Sequence, residues 1–88
     1  MTVALEYHII TSQGPNANMG AYDYMVNGKL IGGVAVVARP AEYGKSGIMT
    51  FMINHEGTVF QKDLGPNTEK LAKQIKVFDP DPSWTKAN

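Results

Sequence analysis

Cysteine is absent from the sequence, which removes a disulfide framework and any thiolate metal site. That absence leaves the compartment open. An excess of either charge is missing too: eight Lys and Arg balance eight Asp and Glu, for a formal net charge of zero. A neutral chain with dispersed basic residues has no electrostatic basis for nucleic-acid binding. No basic run, acidic tail or low-complexity segment occurs, so no charge-driven partner is implied. Long apolar runs are missing as well. The longest, Leu30 to Ala38, is broken by Gly32 and Gly33 and falls far short of the about 20 residues that span a bilayer. Residues 1–12 carry Glu6 and His8 and lack a basic start, so they do not read as a signal peptide. The chain as given is expected to be soluble.

The length of 88 residues sets one small domain over residues 1–88, with a modest core. Its organising stretch is Gly47 to Gly65. Ile48 to Asn54 is β-branched, aromatic and apolar, and Thr58 to Leu64 answers it across Asn54-His55-Glu56-Gly57. Gly57 stands where a hairpin needs positive φ. Met49, Phe51 and Ile53 fall on one face of the first strand, and Ile48, Thr50 and Met52 on the other.

Upstream, Val3 to Ser12 alternates at the period of a half-buried strand. Residues 13–20, QGPNANMG, are turn chemistry throughout. Asn27-Gly28 is the strongest two-residue hairpin signal and predicts pairing of Tyr22–Val26 with Lys29–Gly33. Val34 to Ala38 is uncharged and β-branched, which predicts a central strand covered on both faces. Pro40 ends pairing through its own nitrogen, and residues 41–46 form a connection.

After the hairpin, Gly65-Pro66-Asn67-Thr68-Glu69 starts a helix. Asn67 or Thr68 is its expected cap, and Glu69 or Asp63 suits the positive end of its dipole. Leu71, Ala72 and Ile75 predict a narrow apolar stripe on a helix of about three turns, too short to persist undocked. Asp79-Pro80-Asp81-Pro82 stops it. Trp84, the single tryptophan, is expected to fold back as an anchor. The fold class is α+β: an antiparallel β-meander of about four strands with one C-terminal helix packed on one face.

No residue set reads as a catalytic constellation, and no cofactor is implied. His8 is on a strand and His55 at a hairpin tip, while Ser12, Ser46 and Ser83 sit in loops without a nucleophile-elbow context. His55-Glu56 offers a metal at best two ligands. Asp79, Asp81 and Asp63 lack the ligand ladder of a calcium loop. Gly32-Gly33 enters a strand rather than a helix, unlike a phosphate loop. Tyr7, Tyr22, Tyr24 and Tyr43 read as packing before they read as a ligand platform.

Several motifs in order carry a resemblance: Tyr24 to Gly33, Ala38 to Phe51, Asn54 to Gly57 and Gln61 to Thr68, flanked by Thr11 to Ala17 and Phe78 to Asp81. Together they resemble the C-terminal part of a bacterial family of unknown function, the domain-of-unknown-function family numbered 2950. That resemblance implies an exported protein, periplasmic or extracellular, and no activity. Pro40 to Gly57 is also similar to the C-terminal sheet of type IV pilins and pseudopilins, although the long apolar N-terminal helix of a pilin is missing here.

Two functions follow from different classes. One is a non-catalytic exported domain acting by protein interaction or self-assembly, with a protein partner or a homo-oligomer. The other is a small-ligand-binding or enzymatic domain with a site in loops 13–20 and 40–47. The first is favoured because one short helix covers only one face of a sheet whose strands are apolar on both. Val3–Ser12, a further part of a longer protein or a second copy would then cover the other face.

Overall fold

The computed structural model describes residues 4–87, so Val3, named above as a strand start, lies outside the described residues. Its elements in chain order are β1 (Leu5–Ile10), β2 (Ser12–Gln13), β3 (Tyr22–Asp23), β4 (Met25–Val26), β5 (Lys29–Leu30), β6 (Ala35–Pro40), β7 (Met49–Asn54), β8 (Val59–Asp63), α1 (Thr68–Lys73) and β9 (Thr85–Lys86). One antiparallel sheet of order β1-β6-β7-β8-β9 dominates, with two-stranded ladders β2-β3 and β4-β5 beside it. The class is α+β, weighted towards the sheet.

The central meander is the expected hairpin and its neighbour. Val36 lies opposite Ile53 and Val37 opposite Met52, while Met52 lies opposite Phe60. Gly57 has φ +88°, a conformation strained for any side chain with a Cβ. Asn27 and Gly28 have φ +51° and +79°, the pattern of a type I′ turn. The hairpin they close is shorter than the sequence suggests, Met25–Val26 against Lys29–Leu30. Tyr22–Asp23 pairs with Ser12–Gln13 instead.

The register sorts side chains onto two faces. On one lie Ile10, Ala35, Val37 and Met52, buried with Tyr24, Ala72 and Phe78; Phe60, Ile75 and Trp84 pack against this core. Trp84 thus folds back as an anchor, and the segment after it adds β9 to the edge of β8, a strand too short and polar to be read from pattern. Among the described residues the opposite face has no such layer. Val36 and Ala38 on β6 are only half-buried, which corrects the expectation of a central strand covered on both faces. Of the Val3–Ser12 stretch expected as a cover, residues 5–10 lie in the plane of the sheet instead, as an edge strand paired with β6.

The helix also differs from expectation. It has six residues rather than three turns, and the Asn67 side chain makes no capping bond. Thr68 instead turns its hydroxyl back to the Gly65 carbonyl at 2.5 Å. The buried positions are Thr68 and Ala72, continued by half-buried Ile75, whereas Leu71 is 41% exposed. The stripe therefore runs 68, 72, 75, the i, i+4, i+7 face of a helix.

Candidate functional site: an open apolar sheet face

Cross-strand neighbours fix the composition of the uncovered face. Tyr7, Ala38, Phe51 and Gln61 form one row across the strands, and Ile9, Val36, Ile53 and Val59 the next. Leu5 and Met49 extend it towards the other end. The two rows carry no charged side chain, and Asp63, opposite Met49, brings one carboxylate to that end of the face. Exposure rises towards the edge strand: Leu5 is 45%, Ile9 57% and Tyr7 75% exposed, while Val36, Ala38, Met49, Phe51 and Ile53 are half-buried. At one end a shallow apolar hollow of about 260 Å³ opens between Leu5, Ile48, Met49 and Phe51. The alternation that built the strands dictates this arrangement, because only one set of alternate residues meets α1 and the C-terminal segment.

The histidines, serines and loop carboxylates weighed for chemistry are engaged in contacts of their own. His8 Nε2 lies 2.9 Å from the Ile75 carbonyl oxygen and ties the end of the helix to β1. The Val34 backbone N–H donates to His55 Nδ1 at 3.4 Å, so a neutral His55 ring carries its hydrogen on Nε2. From there it reaches the Tyr22 hydroxyl at 3.3 Å, and that hydroxyl donates to the Gly32 carbonyl at 3.1 Å. A Cβ on Gly33 would lie 2.4 Å from the His55 ring. Gly33 thus allows close approach of the hairpin tip, while Gly32 lies against the Tyr24 and Asp23 backbone. Ser46 bonds Glu42, and Ser83 bonds Lys62 and Asp81. Neither histidine is placed as a base for a serine.

Two of the acidic candidates, Asp63 and Asp81, close turns, and the third joins distant segments. Asp79 accepts from the Asn16 backbone and side chain at 2.8 and 3.1 Å. Asp81 accepts from the Ser83 backbone N–H and hydroxyl, which hold its carboxyl below the usual range. Asp63 accepts from the Tyr43 hydroxyl at 2.7 Å and the Gly65 N–H at 2.9 Å; the first contact pushes the Tyr43 hydroxyl pKa up. Among the described residues no group of three or more His, Asp or Glu converges on a point that would hold a metal ion. The tyrosines form no single platform. Tyr22, Tyr24 and His55 stack edge to face at 5.3 and 5.4 Å, and Tyr7 stands on the open face.

Loops 13–20 and 40–47 do not meet. The first leaves the β1 end that pairs with Ala35, and the second follows Pro40 at the other end of β6. Loop 13–20 is held by Gln13, whose side-chain amide donates to the Asn18 and Gly20 carbonyls, each at 2.7 Å. It walls a half-open pocket of about 340 Å³ whose other lining includes Glu56, Thr58, Lys86 and the Phe60 and Phe78 rings. Those rings meet edge to face at 5.9 Å. Sequence reading missed this pocket because its far wall, β9, is a two-residue strand.

A family described as "Protein of unknown function (DUF2950)" matches residues 3–87. The chain belongs to that family, as its motifs suggest. No curated protein and no solved structure matches it, and the likeness to pilin sheets gains no support. No helix among the described residues is long and apolar enough to cross a membrane.

Proposed function

We propose that this domain works by protein association through the open face of its sheet, as a non-catalytic domain of an exported bacterial protein. The observation that carries the reading is the uncharged row pair Tyr7-Ala38-Phe51 and Ile9-Val36-Ile53, which no helix or second sheet covers among the described residues. With strands about 4.8 Å apart and about 3.4 Å per residue, the four longer strands present a face of roughly 20 by 20 Å. Its projection of about 400 Å² is the size of the largest apolar patch on a typical monomer, which is often functional. Water contact over such a face is costly, and a β-rich apolar segment left bare invites aggregation. A specific cover resolves both. Export rests on the resemblance of the motifs.

Incorporating a photo-crosslinking residue as Tyr7→p-benzoylphenylalanine in producing cells tests the reading. A discrete adduct is expected, lost when Ile9→Lys places a charge beside it. Adducts no more abundant than from the same residue at Leu71, on the helix side, would overturn it.

A second reading rests on the pocket beside loop 13–20. Its aromatic floor and rim of amide, carboxylate and ammonium groups suit a small polar ligand. A polar ligand that raises Tm for the wild type but not for Lys86→Ala would support it, and equal shifts in both would remove it.

A further inference from the structure

We infer that the free edge of β1 pairs with the same edge of a second copy, antiparallel about a twofold axis at Tyr7, to make one continuous sheet. This contact goes beyond the association reading above and uses a different surface.

The backbone of the edge is poised for it. β1 ends the sheet order, and among the described residues no strand pairs with its outer side. The Ala41 N–H donates to the Ala4 carbonyl at 3.0 Å, one step beyond Leu5 opposite Pro40. Antiparallel ladders alternate between bonded and unbonded pairs. Glu6, His8 and Ile10 therefore spend their N–H and C=O groups on Arg39, Val37 and Ala35. The bond from the His55 N–H to the Val34 carbonyl fixes the same alternation from the β7 side. Leu5, Tyr7 and Ile9 aim their backbone groups outwards, and all three residues are exposed.

The two edges of the sheet differ. The far edge is β9, the two polar residues Thr85 and Lys86, a short charged strand of the kind that discourages pairing. β1 runs six residues without proline, lysine or arginine. An edge of that length without such devices is a template for a further strand.

Side-chain complementarity selects the partner and the register. Only outward-facing residues can meet as bonded pairs across the new junction. With Leu5 opposite Tyr7 of the copy, the two Glu6 carboxylates face each other, which is repulsive. With Tyr7 opposite Ile9, Glu6 faces the buried, uncharged Ile10. Axes at Leu5 or Ile9 pair fewer residues. With Tyr7 opposite Tyr7, Leu5 meets Ile9 on the open-face side, and Glu6 meets His8 on the helix side. Each of those pairs occurs twice by symmetry, as a closed isologous contact requires. Apolar residues then meet apolar ones and an acid meets a base, both favourable across strands. Arg39 takes Oε2 of Glu6, and Oε1 is left for the His8 ring of the copy.

The rest of the molecule does not obstruct this approach. The axis is perpendicular to the sheet, so α1 of both copies lies on one side. α1 packs on β6, and the two β6 strands stand three strand spacings apart, roughly 14 Å. Packed helices need about 8–10 Å, so the helix layers do not collide. About six N–H···O bonds join the copies in this register.

Cysteine scanning of a chain that has no cysteine of its own reads the register. In a glutathione redox buffer Tyr7→Cys is expected to form an intermolecular disulfide, its Cα atoms standing about 5.5 Å apart. Leu5→Cys alone is expected to stay unbridged, and a mixture of Leu5→Cys and Ile9→Cys chains to bridge. Analytical ultracentrifugation over a concentration series gives the affinity. The wild type is expected to dimerise, with Tyr7→Pro raising the dissociation constant about 100-fold and Lys86→Ala at the other edge leaving it unchanged. Proline at position 7 removes an outward N–H and spares the bonds to β6. Circular dichroism checks that this variant folds, and the cysteine pattern carries the test if it does not. A wild type monomeric through about 100 μM, where a dimer with micromolar Kd would form, overturns the inference. So does bridging by Leu5→Cys as fast as by Tyr7→Cys, or a dimer indifferent to a folded Tyr7→Pro. These failures leave the open-face reading standing, because the edge contact covers neither Phe51 nor Ile53. In the crosslinking experiment above, an adduct of twice the chain mass reports this edge, and one of any other mass reports the face.

Discussion

The Tyr24 hydroxyl donates to Gln13 Oε1 at 2.8 Å with the tyrosine wholly buried. Burial above all pushes its pKa up, so the group is a neutral donor across the physiological range. Asn54 Nδ2 approaches both partners at 3.4 Å, and Gln13 spends its own amide on loop 13–20. One tyrosine thus joins the sheet, the loop and the hairpin tip. Tyr24→Phe leaves Gln13 Oε1 with the long Asn54 contact alone and is expected to cost about 1–3 kcal/mol, read by urea denaturation. The same variant should speed backbone hydrogen exchange in loop 13–20 before exchange in β7. Unchanged exchange there would mean that the loop is held without Gln13.

Gly57 closes the central hairpin at φ +88°, and no side chain crowds the position a Cβ would take. Any cost of substitution is therefore conformational. Gly57→Val should destabilise by about 1–2 kcal/mol and Gly57→Asn by less, since Asn tolerates this region. Equal melting midpoints for wild type and Gly57→Val would refute the assignment.

Helix substitutions separate the expected stripe from the observed one. Leu71→Ala should change stability by less than about 1 kcal/mol, because the side chain is 41% exposed and surface changes are small. Ala72→Leu should cost about 1–3 kcal/mol or more by overpacking a position with no free surface. Ile75→Ala should fall between them. A larger loss from Leu71→Ala than from Ala72→Leu would restore the stripe read from hydrophobicity.

That reversal shows what could and could not be read from the chain. The β6-β7-β8 meander was legible because alternation and turn glycines are local properties of about six residues each. The helix existed where expected, yet its buried face was misread: Thr68 is polar, and it is buried because its hydroxyl finds the Gly65 carbonyl within one turn. Similarly, Thr50, Met52 and Asn54 form the buried side of β7 and the more apolar Met49, Phe51 and Ile53 the half-open side. Composition alone would assign these the other way. Which face receives a helix is decided by residues far along the chain, here Ala72, Phe78 and Trp84. The pocket by loop 13–20 was illegible for the same reason, since the segment carrying Phe78 is stitched to it by Gly14 N–H to the Phe78 carbonyl and Phe78 N–H to the Ser12 carbonyl.

Thr50 tests the energetic side of that burial. Its hydroxyl oxygen is buried without a hydrogen-bond partner, on a side chain with no exposed surface. Thr50→Val replaces the hydroxyl by a methyl of similar size and removes an unsatisfied polar group. The variant should be neutral or up to about 1–2 kcal/mol more stable, measured as the change in urea midpoint at constant slope. A loss above about 1 kcal/mol would show that the hydroxyl has a bound partner such as water.

Stability against acid follows from two carboxylates, exposed Glu69 and half-buried Asp81. Lys73 Nζ donates to Glu69 Oε1 at 3.1 Å; that bond first, then the Lys73 charge and Arg39, holds the Glu69 carboxyl below its ordinary value. Asp81 is held down by the Ser83 hydroxyl and backbone N–H. For a depressed carboxylate the folded state binds the proton less readily than the unfolded chain. Its contribution is full above the unfolded value of about 4 and is lost as pH falls through the lower folded value. Tm should therefore be flat from about pH 6 to 5 with respect to these two groups and decline below about pH 4. Glu69→Gln with Asp81→Asn should flatten that decline while lowering Tm near neutrality. Added salt should weaken the Glu69 share more than the Asp81 share, since the first involves an exposed ion pair and the second neutral donors. Identical acid limbs for the wild type and the double variant would place the acid sensitivity on other groups.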